Sequence, residues 1–288
     1  MTAATDSERP AEARLPGADA VLPLSRRENF PVAMRAVGRE NAAHLLAIYG
    51  FARLVDQVGD EAEGDRPALL DALARELERV LDGEPEHPLL RQLATTVRAR
   101  NLPRGPFERL IAANRRDQEQ AEYATFDELV DYCTLSANPV GELVLHVFRA
   151  ATPERIAHSD RICTGLQLVE HWQDVREDFE RGRVYLPAED RVRFGVTQHD
   201  LGASATGARV RELMAFEVDR ARAWLDAGAP LVGTLRGRAR LAVAGYVGGG
   251  RANARAIEAS GYDILAAAPK ASKAAVLRTT LRTWRRGR

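Results

Sequence analysis

Cysteine is scarce in this 288-residue chain, which contains only Cys133 and Cys163. Two cysteines cannot form a disulfide framework and do not match zinc-site spacing, so a reducing compartment is favoured. Net charge is absent as well, because 41 basic and 41 acidic side chains cancel, and this gives no support to nucleic-acid binding. The sequence contains no run of about 18 apolar residues, so we predict no membrane-spanning helix. The N-terminus lacks the apolar stretch of a signal peptide, so we expect a cytoplasmic protein.

Helix-forming residues dominate the chain from Arg26 onward. Ala, Leu, Arg and Glu are frequent, apolar residues recur at spacings of three and four, and Pro or Gly separates the runs. Strand-like alternation is missing, and a hydrophobic content of 45% suffices for a sizeable core, so we predict an all-α single domain. The predicted helices span 28–37, 40–58, 67–82, 88–101, 105–121, 126–150 with a break near Pro139, 153–179, 205–227, 234–259 and 271–285.

The two ends of the chain differ in composition from its helical part. Residues 1–22 are small, polar and proline-containing, so we expect a disordered tail before a helical domain over 23–268. Residues 269–288 form a basic helix or tail without any acid. As a helix this segment could place an apolar stripe opposite its basic residues and lie on the inner face of an anionic membrane, and a solvated tail is the alternative. The stripe would comprise Val276, Leu277, Leu281 and Trp284.

One predicted helix carries a polar stripe that ends in two carboxylates. Tyr49, Arg53, Asp56 and Asp60 are spaced four, three and four residues apart, which places them on one helix face. Large apolar residues such as Phe51 flank this stripe. The pattern indicates that the helix places charge beside its core-facing surface.

A second predicted helix repeats this arrangement. Gln167, Glu170, Asp174 and Asp178 are spaced three, four and four residues apart and share one face, next to apolar residues that include Trp172. This stripe also ends in two carboxylates one turn apart.

Paired carboxylates on two helices predict a cation site. Like charges four residues apart cost a helix roughly 0.2–0.5 kcal/mol, and burial would raise that cost or their pKa. Mg²⁺ would offset the repulsion, because it takes oxygen ligands and joins one or two carboxylates to a phosphate. We therefore predict a small Mg²⁺ cluster around a diphosphate, and two solvated acidic faces are the alternative.

A basic segment follows the second stripe. Arg181 and Arg183 lie just beyond its carboxylates, and guanidinium groups suit the oxygens of a departing diphosphate. The alternative is that these arginines only complement the negative end of a helix dipole.

Together these motifs resemble the head-to-head prenyl synthases, the family that includes squalene and phytoene synthases. The resemblance covers about residues 28–265 and is specific in combination, although each motif alone is weak. It rests on the two Asp-x-x-x-Asp pairs and on the segments Tyr132-Cys133, Ala137-Asn138-Pro139-Val140-Gly141 and Gly182-Arg183-Val184-Tyr185-Leu186-Pro187.

The resemblance implies an isoprenoid synthase fold, in which helices surround a central apolar cavity capped by a metal–diphosphate site. It implies Mg²⁺ as cofactor and an isoprenoid diphosphate as substrate. The implied catalytic and metal-binding residues are Asp56, Asp60, Glu170, Asp174 and Asp178. The implied substrate-binding residues are Phe30 in an N-terminal aromatic lid, Tyr49, Arg53, Tyr132, Val140, Gly141, Gln167, Arg183 and Tyr185.

Two positions depart from the family pattern. Position 170 is Glu where squalene and phytoene synthases usually carry a metal-binding Asn, and position 57 is Gln where a second adjacent Asp is common. Glu170 could ligate Mg²⁺, act as a base or orient water. Its presence favours an enzyme specialised for the second step over one that condenses two farnesyl diphosphates.

Finer sequence features resemble the bacterial hopanoid-pathway branch of the family, namely ENFPVA (28–33), SANPVG (136–141) and LVEHWQD (168–174). This resemblance implies hydroxysqualene synthase activity, the conversion of presqualene diphosphate to hydroxysqualene. Head-to-head condensation of two prenyl diphosphates is one alternative, and a non-catalytic scaffold of the same fold is another. The glycine run 248–250 has no strand before it, so it predicts close helix packing or a kink, not a dinucleotide-binding turn.

Overall fold

Helices follow one another through the described part of the chain, which is residues 15–16 and 37–287 of the computed structural model. Within these residues no strand forms, and one isolated parallel bridge joins Glu122 to Val184. A π-helical turn, Gln57–Glu61, directly follows the first helix. The helices are α1 (Arg39–Asp56), α2 (Arg66–Asp82), α3 (Pro88–Arg100), α4 (Gly105–Glu119), α5 (Phe126–Ser136), α6 (Asn138–Val147), α7 (Pro153–Gln173), α8 (Val175–Glu180), α9 (Ala188–Phe194), α10 (Gln198–Leu201), α11 (Ala208–Gly228), α12 (Leu231–Thr234), α13 (Gly237–Ala259) and α14 (Lys273–Arg286).

Local sequence signals fix several helix ends. Helix α2 begins where the Asp65 side chain accepts a hydrogen bond from the Ala68 backbone N–H at 3.0 Å, and it ends at Gly83, whose φ of 92° is left-handed. Thr152 caps α7 through the Arg155 backbone N–H at 3.3 Å. Each of these side chains satisfies a backbone donor that the helix leaves unpaired.

The all-α prediction is confirmed, with corrections to individual helices. The prediction of a single helix over 153–179 was wrong, because Asp174 (φ −103°, ψ 15°) lies outside helical geometry and separates α7 from α8. The break predicted near Pro139 falls at Ala137, between α5 and α6. The short helices α9, α10 and α12 were not predicted. Among the helices of residues 37–287, none is long and apolar enough to cross a membrane.

The chain ends are described only in part. The predicted tail over 1–22 lies outside the described residues except at Leu15 and Pro16, and so does nearly all of the helix predicted over 28–37. Leu15 packs against a cluster of buried apolar residues that includes Phe51 and Leu70, and the Pro16 carbonyl lies 2.9 Å from the His87 ring nitrogen Nε2.

Two clusters of buried apolar side chains form the core. One joins α1–α4 with α6 and includes Phe51 and Phe107, whose rings meet edge to face. The other joins α7, α11 and α13 and includes Trp172, whose indole N–H donates to the Glu217 carbonyl at 3.1 Å. An apolar cavity lies between the clusters, because its walls contain members of both, such as Ile48 from α1 and Val243 from α13.

The glycine run of α13 confirms the prediction of close helix packing. A Cβ atom added to Gly248 would lie 2.6 Å from the Cα of Thr280 on α14. One added to Gly250 would lie 2.7 Å from the Leu166 side chain on α7. Both distances are far below van der Waals contact, so small residues here allow two helices to approach α13.

A buried carboxyl lies in the core behind α7. Glu217 of α11 has no exposed surface, and burial raises its pKa from 4.5 to about 8. Arg220 partly opposes this shift, with its guanidinium 3.4 Å from Glu217 and 2.8 Å from Asp190. The folded protein therefore holds a proton on Glu217 at pH values where the unfolded chain releases it.

We predict that the Glu217→Gln variant loses part of the pH dependence of folding. Because the folded pKa is raised, Glu217 stabilises the fold below about pH 4.5, and that contribution is lost as the pH rises towards 8. The wild-type free energy of unfolding should therefore fall more steeply than that of the variant, by up to about 1.4 kcal/mol per pH unit. Urea unfolding of both proteins between pH 5 and pH 8 measures the difference, and equal slopes would contradict the assignment.

Candidate active site

Two adjoining cavities share Asp56 as a lining residue. One is polar, measures about 280 Å³ and lies between α1, α4, α7 and the segment after α8. The other is apolar, measures about 260 Å³ and extends between α1, α6, α7 and α13. The polar cavity contains six carboxylate side chains: Asp56, Asp60, Asp117, Glu170, Asp174 and Asp178. A ligand with a charged head and an apolar body would match the pair of cavities.

A change of helix type forms the first acidic row. Helix α1 ends at Asp56 and continues as the π-helical turn, in which the Ala62 N–H donates to the Gln57 carbonyl at 2.9 Å. A π-helical turn contains more residues than an α-helical turn. Four residues of an α-helix rotate by about 400°, and four residues of this turn rotate by less, which is closer to one full turn. Asp56 and Asp60 both line the polar cavity.

Helix α4 holds this turn in place. Gln118 donates to the Gly59 carbonyl at 3.0 Å, and the Asn114 side chain hydrogen-bonds to Asp56. A Cβ atom added to Gly59 would lie 2.0 Å from the Asn114 side-chain oxygen. Gly59 is therefore required for Asn114 to reach the first acidic row.

The environment of Asp56 raises its pKa to about 7. Although 49% of the side chain is accessible, that surface faces the cavities, and loss of hydration is the main cause of the shift. Arg53, 3.7 Å away, lowers the pKa, whereas the negative charges of Asp60 and Glu170 raise it. Arg53 thus offsets only part of the effect of lost hydration on the pKa of Asp56.

The second acidic row lies at the end of α7. Asp174 caps this helix, and its carbonyl accepts from the Asp178 N–H at 2.8 Å, which starts α8. Loss of hydration, followed by the charge of Asp178, raises the pKa of Asp174. Lys270, in the segment before α14, lowers it. This row therefore also contains unbalanced negative charge.

The loop between α8 and α9 connects the two rows. Arg183 donates to Asp60 at 2.6 Å, and its backbone N–H donates to the Asp178 carbonyl at 2.8 Å. Tyr185 stacks on His171, with ring centroids 3.7 Å apart. Arg183 thus links the second acidic row, through its backbone, to the first acidic row, through its side chain, in the wall of the polar cavity.

Asp117 is a site residue that the sequence analysis missed. It lines the polar cavity from α4 and accepts a hydrogen bond from the Tyr132 hydroxyl at 2.8 Å. Burial raises its pKa to about 6, although Tyr132 and Arg183 lower it. Its spacing of three residues from Asn114 on an apolar-flanked helix was an available signal. His171 was also missed, although it lies on the same helix face as Gln167 and Asp174.

The apolar cavity contains four of the predicted substrate-binding residues. Tyr49, Val140 and Gly141 line it, and Arg53 lines it beside Asp56. A Cβ atom added to Gly141 would lie 2.4 Å from the Ser159 hydroxyl, so glycine is needed where α6 passes α7.

The structure brings most of the predicted site residues to these two cavities. Gln167 and Tyr132 line the polar cavity with the acidic residues, Arg183 and Tyr185. Phe30 lies outside the described residues. The roles of all the predicted site residues in binding and catalysis remain predictions.

The donor set of the polar cavity suits Mg²⁺. Within residues 37–287 no three acidic, His or Cys side chains converge closely enough to hold one ion on their own. Mg²⁺ does not need such a cage, because it keeps several waters and is usually bound by one or two carboxylates and by substrate phosphates. The raised pKa values of Asp56 and Asp174 indicate a site that favours added positive charge.

The fold is that of an isoprenoid synthase. The sequence profile of squalene/phytoene synthases matches residues 25–285, and the chain therefore belongs to this family. Its relatives include a hydroxysqualene synthase of Sinorhizobium fredii, 32% identical over 74% of this chain and 73% of the relative. A phytoene synthase of Mycobacterium bovis is also 32% identical, over 71% and 68% of the two chains.

Solved structures agree with this family assignment. The squalene synthase HpnC of Alicyclobacillus acidocaldarius superposes with a TM-score of 0.79 and is 43% identical, over 85% of this chain and 94% of its own. A dehydrosqualene synthase solved with a ligand superposes with a TM-score of 0.82, over 92% and 94% of the two chains, at 22% identity. The predicted isoprenoid synthase fold is confirmed.

We predict that Gly59→Ala reduces turnover at least tenfold, because the added methyl displaces Asn114 from Asp56. Overpacking at this buried contact should also destabilise the protein by about 1–3 kcal/mol. Gly50→Ala is the matched control, since it lies in α1 with no atom within 4 Å of the added Cβ. The control should keep activity and gain up to about 1 kcal/mol. Measurements of turnover and urea unfolding that show the same effects for both variants would contradict the role of Gly59.

Proposed function

We propose that this chain is a hydroxysqualene synthase, which converts presqualene diphosphate to hydroxysqualene in hopanoid biosynthesis. The observation that carries the proposal is the carboxylate-rich cavity opening at Asp56 into an apolar one, with Glu170 among the carboxylates. A named hydroxysqualene synthase among the relatives supports it. A phytoene synthase is as similar in sequence to this chain as that hydroxysqualene synthase, at 32% identity. Head-to-head condensation of two prenyl diphosphates is therefore the second candidate function.

The charged residues would bind the diphosphate in the polar cavity. Arg53 and Arg183 would donate to its oxygens, and Asp56, Asp60, Asp174 and Asp178 would hold Mg²⁺. Bound Mg²⁺ would supply positive charge that stabilises the departing diphosphate. The carbon–oxygen bond to the diphosphate breaks, and the leaving group takes the electron pair.

The apolar cavity would hold the hydrocarbon chains and the cation that remains. Its walls offer few polar atoms, so they would exclude water while the cyclopropylcarbinyl cation rearranges. One ordered water then forms the new carbon–oxygen bond and gives up a proton.

Glu170 is our candidate for the residue that positions this water, with Gln167 beside it in the same cavity. Asn138 is not a candidate, because it lines neither cavity and its side-chain oxygen accepts from the Thr164 hydroxyl at 3.1 Å. The carboxylate of Glu170 could accept the proton that the water releases.

Product analysis tests the proposed reaction. Purified protein supplied with presqualene diphosphate and Mg²⁺ should release hydroxysqualene without a reductant. Parallel reactions with farnesyl or geranylgeranyl diphosphate should give little or no product. A hydrocarbon that forms only with NADPH, or phytoene from geranylgeranyl diphosphate, would instead support head-to-head synthesis.

Substitution of the acidic rows tests the metal site. We predict that Asp56→Asn and Asp174→Asn each abolish turnover while the helix content measured by circular dichroism stays unchanged. Asp131→Asn, an exposed acid on α5, is the matched control and should keep wild-type turnover. Inorganic pyrophosphate with Mg²⁺ should raise the Tm of the wild type and the control, but not of the two variants. Equal shifts in all four proteins would contradict the metal site, and no shift in any would favour a non-catalytic scaffold.

A further inference from the structure

Helix α14 presents its apolar residues to solvent. Leu277, Leu281 and Trp284 are 61%, 42% and 41% exposed, and their spacing of four and three places them on one stripe. Thr279 and Thr283 are buried against α13 on the other side. A helix on a globular protein normally turns its apolar stripe inward. The reversed orientation of α14 indicates that something outside the described fold covers this stripe.

Contacts with α13 fix the helix in this orientation. The absence of a side chain at Gly248 lets the Thr280 backbone approach closely. Arg251 donates to the Thr283 hydroxyl at 3.3 Å, and Arg240 donates to the Trp284 carbonyl at 2.7 Å. The helix cannot roll its apolar stripe inward without losing these contacts.

Basic residues run beside the apolar stripe. Arg278, Arg282 and Arg285 each follow one of its members directly, so they form a parallel stripe about 100° around the helix. All three are exposed, and none forms an ion pair with an acid in residues 37–287. This differs from the sequence prediction, which placed basic residues opposite the apolar stripe and included Val276, a half-buried residue.

The charge of this face selects its partner. Residues 269–288 contain seven basic side chains and no acid, so a second copy of the same face would be repelled. An anionic lipid surface offers both the negative charge and the apolar phase that α14 lacks. Arginine side chains can reach lipid phosphates while apolar neighbours enter the acyl boundary, and tryptophan is well suited to that depth.

We propose that the outward face of α14 docks the protein on an anionic lipid bilayer, with the helix lying in the plane of the interface. The use of such docking to the enzyme rests on the proposed function, because presqualene diphosphate and hydroxysqualene are both lipids. Docking itself requires no substrate, so a binding experiment succeeds or fails independently of the reaction.

Vesicle sedimentation of the full chain tests the proposal. The protein should pellet with vesicles of phosphatidylcholine and phosphatidylglycerol, and at least tenfold less with phosphatidylcholine alone. The Leu277→Ser/Leu281→Ser/Trp284→Ser variant should bind the mixed vesicles at least tenfold more weakly. Val192→Ser removes an exposed apolar side chain from α9 and should bind like the wild type.

A charge variant gives a second, conservative measurement. The Arg278→Gln/Arg282→Gln/Arg285→Gln variant should weaken binding by about 100-fold, because each basic residue near an anionic surface contributes about fivefold. Circular dichroism should confirm that both variants remain folded. Undiminished binding of either variant, or a wild type that does not bind the mixed vesicles, would overturn the proposal. So would sedimentation velocity that finds a wild-type dimer and a monomer for the apolar-stripe variant, because a second copy would then cover the stripe.

Discussion

Electrostatic repulsion among carboxylates at one end of an apolar cavity is the constraint on which this structure depends. Desolvation and neighbouring acids raise the pKa of Asp56 and Asp174, so the fold holds negative charge together at a cost to its own stability. Arg53 and Arg183 offset only part of that cost from within the chain. The proposed Mg²⁺ and diphosphate would offset the rest of that cost.

The rest of the fold positions this charge at an opening between two cores. Each acidic row stands at a helix end, where a π-helical turn or a break in α7 redirects the chain, and not in mid-helix. Neighbouring helices then secure each row: α4 through Asn114 and Gln118, and the loop after α8 through Arg183. Members of both apolar clusters line the apolar cavity, so closely packed side chains form the walls that the polar site adjoins.

Helical periodicity made much of the fold and both acidic rows predictable from sequence. The spacing of Asp56 from Asp60 and of Asp174 from Asp178 places each pair on one helix face, and the apolar flanks indicate that this face adjoins a core. Periodicity within one helix cannot reveal partners from another helix, so the contacts of Asn114 and Asp117 emerged only from tertiary packing. The break at Asp174 and the π-helical turn were equally hidden, because neither contains proline and both continue an apolar pattern.

The π-helical turn makes the position of Asp60 depend on the number of residues in the segment as well as on their identity. Such a turn is equivalent to an α-helix that has accepted one extra residue. Removing any one residue from 57–59 would leave the second carboxylate three residues from Asp56, which is about 300° around an unbroken α-helix and therefore short of a full turn. Insertions and deletions are usually tolerated in loops, but here the length of a five-residue turn is as constrained as an active-site side chain.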